Sequence, residues 1–162
     1  PLSEIMMKTK LVAFTLLASI SAFASFAQDA ADPFADVVET RHGLMLQMAS
    51  DLGTLGGMAK GTAAYDQAAA TQAASNIAAI ASVLSMAQFP AGSETGAAAD
   101  SYALADIWTK QDDFLSKITD LNNAAGMMKM AAATDANAIK GSMAQLGGAC
   151  SACHKSYRQP ES

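Results

Sequence analysis

The residues with the most distinctive chemistry lie near the carboxyl end of the chain, in the segment Cys150-Ser151-Ala152-Cys153-His154. Two thiols at this spacing can each form a thioether bond with a vinyl group of one haem, and the imidazole that follows reaches the iron from the same side. In an exported chain, a C-x-x-C-H segment indicates attachment of a c-type haem. We therefore expect Cys150 and Cys153 to hold one covalent haem c. We expect His154 to be the axial iron ligand, through a neutral imidazole nitrogen.

Two other kinds of site also contain a C-x-x-C pair. A thiol–disulfide enzyme carries the pair in an α/β pattern, whereas no strand pattern precedes Cys150 here. A zinc site would need ligands beyond this segment, and the whole chain contains 2 Cys and 2 His. We therefore favour haem attachment over a dithiol enzyme or a zinc site.

The residues that flank this segment are candidates for lining the same cofactor. Tyr157 and Arg158 follow His154 by three and four positions, so in a helix they share its face and would cover the proximal side of the haem. Arg158 would alternatively be a solvated cation that favours the negative end of the helix dipole. At Gly147-Gly148, missing side chains would let the haem approach the backbone, or the helix simply tolerates a weak turn.

A second group of informative residues lies early in the chain. Arg41 occupies an apolar position of a helical pattern, and a buried guanidinium needs a carboxylate, which a haem propionate would supply. The alternative is an arginine whose side chain extends into solvent at one end of the fold. His42 is turned about 100° further round the helix and would either bond a propionate or face solvent.

Met45 lies one turn after Arg41, on the same face of the predicted helix. Its thioether would bind iron as a sixth ligand and raise the redox potential, or it would cover the distal side of the haem as an apolar wall. Ordinary core packing is a third possibility, because the chain contains 10 Met. Met48 is a second candidate for the same position.

The composition favours an all-α fold that would position these residues. Hydrophobic residues make up 51% of the 162 residues and charged residues 15%, which excludes a disordered acidic tail. Ala, Met and Leu are abundant and are good helix formers, and only 4 Pro interrupt them. The net charge of −5 argues against nucleic-acid binding.

Four helical patterns, separated by turn signals, predict an up-down-up-down antiparallel four-helix bundle. The first begins at Asp32-Pro33 and ends at Gly56-Gly57 and then Gly61; the second stops before Pro90. Residues 89–101 are predicted to be a loop, with Asp100 or Ser101 capping the third helix and Thr134-Asp135 preceding the fourth. The apolar stripes are Val38, Arg41, Met45, Met48, Leu52 and Leu55; Ala73, Ile77, Ile80, Leu84 and Ala87; Leu104, Trp108, Gln111, Leu115, Ile118, Asn122 and Ala125, widened by Ile107, Phe114 and Leu121; and Ile139, Met143, Leu146, Cys150, Cys153 and Tyr157.

The first 27 residues have the layout of a targeting segment. Met6 or Met7 is read as the natural start, and residues 1–5 as an extension of unclear origin. Lys8 and Lys10 precede an apolar run over residues 11–23, followed by Ser25-Phe26-Ala27, which predicts a signal peptide over residues 6–27 cleaved before Gln28. A membrane anchor is the alternative, but the run is shorter than the about 20 residues that a span needs. We expect a mature domain over residues 28–162 in the periplasm, with no membrane attachment after cleavage.

Four segments together resemble the cytochrome c′ family, the class II c-type cytochromes. They are Leu146 to Arg158 (LGGACSACHKSYR), Arg41 to Met45 (RHGLM), Phe89 to Glu94 (FPAGSE) and Ile107 to Phe114 (IWTKQDDF). The resemblance covers nearly all of the mature chain, and it includes the C-terminal placement of the C-x-x-C-H segment. It implies a four-helix bundle, which is the fold of cytochrome c′.

The resemblance also implies roles for individual residues. Arg41 and His42 would lie at the haem propionates, with His42 in place of the Gln common there, and Ser93 and Glu94 would lie beside the haem edge. Met45 falls on the distal position, which is usually a bulky apolar residue in this family. Arg158 falls on the proximal position implicated in nitric oxide chemistry.

For function, the resemblance implies a high-spin, five-coordinate haem that binds nitric oxide and carbon monoxide, and frequent homodimers packed through the first two helices. Low-spin relatives use a distal Met as the sixth ligand and carry electrons. Two hypotheses follow: a protein that reversibly binds these gases, and an electron carrier that docks redox partner proteins. We expect no enzyme, because the chain shows neither a Ser/His/Asp set nor a paired-carboxylate constellation.

Overall fold

The computed structural model describes residues 31–160, and these form a helical bundle. The predicted signal peptide over residues 6–27, its cleavage site and the extension over residues 1–5 lie outside the described residues. Among the residues that are described, no helix is both long and apolar enough to cross a membrane. The helices are α1 (Ala35–Lys60), α2 (Gln67–Val83), the short α3 (Asp106–Thr109), α4 (Gln111–Ala132) and α5 (Ala136–Tyr157).

The four long helices form the predicted all-α, up-down-up-down bundle. Packing joins α1 to α2, α2 to α4, α4 to α5 and α5 back to α1, so the four elements enclose one core. Alanines line much of the α2 and α4 surfaces inside this core and allow the two helices to approach closely. The fully buried larger side chains include Leu55, Met128, Ile139 and Leu146.

The first helix differs from the prediction at its start. It begins at Ala35 rather than at Asp32-Pro33, because the Asp32 carboxylate accepts hydrogen bonds from the N–H groups of Phe34 (2.8 Å) and Ala99 (2.6 Å) and forms a turn. It also continues through Gly56-Gly57, which were expected to end it. The helix ends at Gly61, the last of the glycines predicted to end it, whose φ of 75° gives the left-handed C-terminal cap that glycine adopts without strain.

The second helix ends earlier than predicted, and the third begins later. Val83 is the last residue of α2, and Ala87 is exposed in a separate 3₁₀ turn over Met86–Gln88 that Ser85 and Gln88 cap reciprocally. Neither Asp100 nor Ser101 caps a helix. The Ser101 hydroxyl instead donates to the Ser93 carbonyl at 2.6 Å, inside the loop.

The buried face of α3 and α4 is rotated from the predicted stripe. Ile107, Phe114 and Leu121, which were expected only to widen it, form the buried centre together with Ala124, Ala125 and Met128, whereas Gln111 is exposed. The cause is a break at Lys110, where φ −125° and ψ 42° separate the two helices. A stripe drawn straight through residues 104–125 therefore loses register at this point. The fourth stripe is continuous, and α5 begins after Asp135, whose carboxylate accepts from Ala138 N–H at 2.8 Å.

The connection between α2 and α4 packs across one end of the bundle. Residues 89–101 are loop, as predicted, and Gly92 (φ 94°) lies so close to Phe34 that a side chain there would meet the ring at 2.9 Å. The Phe89 carbonyl accepts from Trp108 Nε1 at 3.0 Å. Backbone hydrogen bonds then join residues 102 and 104 of the same connection to residues 159 and 157, just at and beyond the end of α5.

Candidate functional site

Two adjoining clefts meet at the C-x-x-C-H segment of α5. The inner cleft lies between the four long helices, and its wall is almost wholly apolar, including Met48, Leu52, Ile118, Leu146 and Cys150. The outer cleft has a volume of about 660 Å³, inside the range of about 300–1,000 Å³ that is usual for cofactor sites. Both clefts are lined by Met45, Ala49, Phe89, Phe114, Cys153 and His154.

The two cysteines are half-buried free thiols on the face of α5 that packs against the core. Burial raises the pKa of both, and it raises the pKa of Cys153 to about 11, with a smaller contribution from Cys150. A thiol–disulfide enzyme needs an accessible thiolate at neutral pH, so these surroundings disfavour that alternative. They suit side chains that are buried against a large apolar group.

His154 lies on α5 one residue after the second thiol and borders both clefts. Desolvation beside the clefts, followed by the positive charge of Arg158, lowers the pKa of His154. The neutral imidazole that this favours is the form that binds iron. Cys150, Cys153 and His154 therefore line one apolar cleft together.

Arg41 of α1 is buried, with 5% of its surface exposed, so its side chain does not extend into solvent. Its Nη1 donates to Ser93 Oγ (3.0 Å), and its Nη2 donates to the Ser93 carbonyl (3.1 Å) and Ser101 Oγ (3.2 Å). The guanidinium also stacks over Phe89, with Cζ 5.1 Å from the ring centroid. Burial lowers the pKa of Arg41, but a guanidinium keeps its proton in a folded protein.

All these partners of Arg41 are neutral. The ion pairs found among residues 31–160 are Lys110–Asp106 and Lys117–Asp113, and Arg41 belongs to neither. A buried cation that lines the outer cleft and has no carboxylate partner within residues 31–160 suits an anionic group at the edge of a ligand. Haem c has an apolar body, an acidic edge formed by its propionates, and two vinyl groups that react with thiols. The residues present therefore fit this cofactor.

The other predicted site residues are distributed unevenly. His42, Tyr157 and Arg158 line the outer cleft, whereas Ser93 is fully buried behind Arg41. Glu94 lines neither cleft; its carbonyl accepts from Ala97 and Ala98 N–H in a turn. A side chain built on Gly147 or Gly148 would meet nothing within 4 Å, so protein packing does not require glycine at either position.

Sequence reasoning missed four residues of the site. Ser101 was considered only as a helix cap, yet it bonds Arg41. Tyr102 lines the outer cleft, where its ring lies 6.1 Å from that of His42 and 5.5 Å from Cζ of Arg158. Phe89 and Phe114 border both clefts. Ser101, Tyr102 and Phe89 lie in the loop, where no periodic pattern marks an inward position, but the aromatic types of Tyr102 and Phe89 were a usable signal.

Tyr157 closes the outer cleft beside Cys153. Its hydroxyl donates to Asp113 Oδ2 at 2.5 Å, and its ring lies edge-on to Phe114 with centroids 5.2 Å apart. Burial, and then this hydrogen bond, raise the pKa of Tyr157 to about 12, so the hydroxyl is a donor at neutral pH.

Comparison with known proteins gives a consistent result. The sequence model of the family described as Cytochrome C′ matches residues 36–158. Cytochrome c-554 of Cereibacter sphaeroides is 48% identical over 149 residues, which is 92% of this chain and 97% of that protein. Among solved structures, a cytochrome c prime from Shewanella frigidimarina matches with a TM-score of 0.69 and 35% identity, covering 78% of this chain and 97% of that one. A nitric oxide complex of a cytochrome c prime variant from Alcaligenes xylosoxidans matches with a TM-score of 0.68 and 27% identity, covering 78% and 97%.

Proposed function

The chain belongs to the cytochrome c′ family, and we propose that it is a single-haem cytochrome that transfers electrons, binds nitric oxide or carbon monoxide reversibly, or does both. The cofactor of this family is covalent haem c. When bound, haem c supplies a one-electron iron couple and a coordination site for diatomic gases. The observation that carries the proposal is the meeting of Cys150, Cys153 and His154 at an apolar cleft that Met45 also lines.

In this proposal, Cys150 and Cys153 hold the haem through thioether bonds and His154 binds the iron. Support comes from the cleft that all three residues line and from the lowered pKa of His154, which keeps a nitrogen lone pair free for a metal. Replacing both cysteines by Ala should yield a chain from which acidic organic solvent extracts all haem. The wild type should keep its haem through the same extraction.

Arg41 and His42 would face the haem propionates. Arg41 contributes a buried charge that its three hydrogen bonds to Ser93 and Ser101 hold in place. His42 contributes a half-buried ring at the same cleft. Ser93 then acts through Arg41, and we assign Glu94 only the turn beside them. Tyr157 and Arg158 would line the proximal side.

The sixth coordination position would be largely open but crowded by Met45. A ligand must then move the Met45 side chain, which selects small molecules with strong affinity for ferrous iron. The nitric oxide complex of the Alcaligenes xylosoxidans protein supports this function for the same fold. We infer no catalytic turnover.

A second candidate is a low-spin electron carrier in which the Met45 sulfur binds iron. The observation that favours it is that Met45 lines both clefts, as His154 does. The Met45 thioether would therefore lie in the same space as the imidazole that binds the iron. A bound thioether would raise the redox potential and exclude gases.

Absorption spectra of the holoprotein separate the two candidates. Broad high-spin bands that sharpen when carbon monoxide is added to the ferrous protein are expected for an open position. Sharp, split ferrous bands that carbon monoxide leaves unchanged would establish a sixth ligand instead. In that case Met45→Ala should become high-spin and bind carbon monoxide, whereas Met48→Ala, the matched change in the inner cleft, should stay low-spin.

We further propose export to the periplasm with cleavage before Gln28, and a homodimer packed through α1 and α2. Mass spectrometry of the purified holoprotein should find Gln28 at its amino terminus, and an Ala27→Asp precursor should stay uncleaved.

Sedimentation equilibrium would measure the dimer. In the electron-transfer function, the partners would be redox proteins that dock at the haem edge.

A further inference from the structure

The last turn of α5 is fixed from two sides by groups outside the helix. On one side, the Tyr157 hydroxyl donates to the carboxylate of Asp113 on α4, and the buried Tyr157 ring packs edge-on against Phe114. On the other side, the Tyr157 carbonyl accepts from Leu104 N–H at 2.9 Å, and the Tyr102 carbonyl accepts from Gln159 N–H at 2.8 Å. Tyr157 is therefore the residue at which α4, α5 and the loop connection meet.

His154 lies one turn before Tyr157 on the same face of α5. The His154 side chain is exposed, and no hydrogen bond to its ring is found among residues 31–160. The backbone of its own turn therefore contributes to the position of the ring. On that turn, the Tyr157 hydroxyl donates a 2.5 Å hydrogen bond to Asp113.

The hydrogen bond of Tyr157 is separable from its packing. The ring fills part of the cluster formed with Phe89, Ala103, Ile107 and Phe114, against which Cys153 also packs. The hydroxyl adds a short directional contact, 2.5 Å long, to a carboxylate that Lys117 also approaches at 3.3 Å, and a longer one of 3.4 Å to the Lys110 carbonyl. Core filling needs only the ring, whereas the hydrogen bond also constrains the rotation of α5 about its axis.

We propose that Tyr157, through Asp113, is a positioning residue that sets the orientation of His154 toward the haem iron. The proposal rests on the function proposed above, in which His154 is the axial ligand. In this proposal, the exposed carboxylate of Asp113 on α4 affects the electronic properties of the cofactor.

The test compares Tyr157→Phe with Tyr65→Phe in the holoprotein. Each change removes one hydroxyl that is hydrogen-bonded to α4. The Tyr65 hydroxyl donates to the Ala132 carbonyl at 2.9 Å, nineteen residues or about 30 Å along α4 from Asp113. Two properties are measured: the reduction potential and the hyperfine-shifted proton spectrum of the ferric protein, which reports the orientation of an axial imidazole. Thermal unfolding gives the cost in stability.

Tyr157→Phe should shift both the potential and the hyperfine resonances, whereas Tyr65→Phe should lose comparable stability and shift neither. Asp113→Asn should shift them in the same direction, and the double variant should shift no further than Tyr157→Phe alone, because both changes act on one hydrogen bond. A Tyr157→Phe protein that loses stability but keeps the wild-type potential and resonances would overturn the positioning role. A wild-type spectrum without axial-imidazole signals would instead overturn the proposed function, and the positioning role with it.

Discussion

At the scale of single residues, Arg41 has the most demanding environment in the described part of the chain. It is a buried cation whose hydrogen-bond partners are two serines and a backbone carbonyl, and an aromatic ring covers one face. Each of these acceptors is buried with it and would lose a partner if Arg41 were replaced. The cost of replacement therefore includes both the lost bonds and the unsatisfied groups left behind.

Replacing Arg41 by Met keeps most of the side-chain volume and removes the charge and three hydrogen bonds. We expect the free energy of unfolding of the holoprotein to fall by about 2–4 kcal/mol. The reduction potential should also fall, because the loss of a nearby positive charge favours the ferric state. Denaturant titration and redox titration measure the two effects. Ser101→Ala, which removes one acceptor and no charge, should cost less and barely move the potential; equal effects in both variants would contradict this assignment.

Asp113 makes the stability of the fold depend on pH at the acidic end of the scale. The hydrogen bond from Tyr157, and then that from Lys117, lower the pKa of this carboxyl in the folded state. The contribution of Asp113 to the free energy of unfolding is therefore complete above the unfolded pKa of about 3.9. It is lost as the pH falls through the lower pKa of the folded state. The Tm difference between wild type and Asp113→Asn should be constant near neutral pH and should shrink at about pH 4 and below. Asp112→Asn, at the adjacent exposed position, is the control, and a difference that widens with acid would refute the prediction.

The residues that could be predicted from the sequence are those whose type alone implies chemistry. Cys150, Cys153, His154 and Arg41 were identified because thiols, imidazole and a cation in an apolar stripe are chemically conspicuous. Ser101 was not, because a serine in a loop gives no sign of which carbonyl or guanidinium it will meet. Glu94 was expected at the haem edge from the family resemblance alone, and the structure gives it only a backbone turn.

At the scale of secondary structure, α5 was predicted almost completely and the segment before α4 was not. The apolar spacing of α5 is unbroken from Ile139 to Tyr157, and Asp135 is an unambiguous cap. Before α4, the break at Lys110 depends on tertiary contacts that spacing does not encode, including the Lys110 carbonyl, which lies 3.4 Å from the Tyr157 hydroxyl. Gly56-Gly57 misled the prediction for a related reason, because packing against neighbouring helices overrides the poor helix propensity of glycine.

The caps of α5 and α2 give a prediction at this scale. Asp135→Ala and Asp66→Ala each remove a carboxylate that accepts a backbone N–H, from Ala138 and Ala69 respectively. Each variant should lose about 1 kcal/mol of stability. Neither should change the haem spectrum, because both caps lie at the end of their helices away from the clefts. Thermal unfolding and absorption spectra test this together, and a spectral change in Asp135→Ala alone would show that the whole of α5 shifts as one rigid element.

At the scale of the whole molecule, the charge balance governs encounter with other molecules. Removing residues 1–27, with Glu4, Lys8 and Lys10, from the net charge of −5 leaves −6 for the proposed mature chain. Such a surface attracts positively charged partners. Salt screens this attraction, with a Debye length of about 10 Å at 0.1 M.

Electron exchange should therefore depend on ionic strength. With a small cationic redox complex, the second-order rate constant of the holoprotein should fall as salt is added. With an anionic complex of similar potential, it should rise. Stopped-flow reduction across a salt series measures both, and rates that are insensitive to salt with both reagents would show that net charge does not steer the encounter.

The hydrogen bonds beyond α5 have a practical consequence for protein engineering. Gln159 binds the loop twice, through its N–H to the Tyr102 carbonyl and through its side chain to Thr95. A truncation or affinity tag placed directly after Tyr157 would therefore remove hydrogen bonds that hold the loop carrying Ser93 and Ser101. The three hydrogen bonds of Arg41 to these two serines would weaken as a result. The safe boundary for a recombinant form is Pro160 or later, three residues past the last helix.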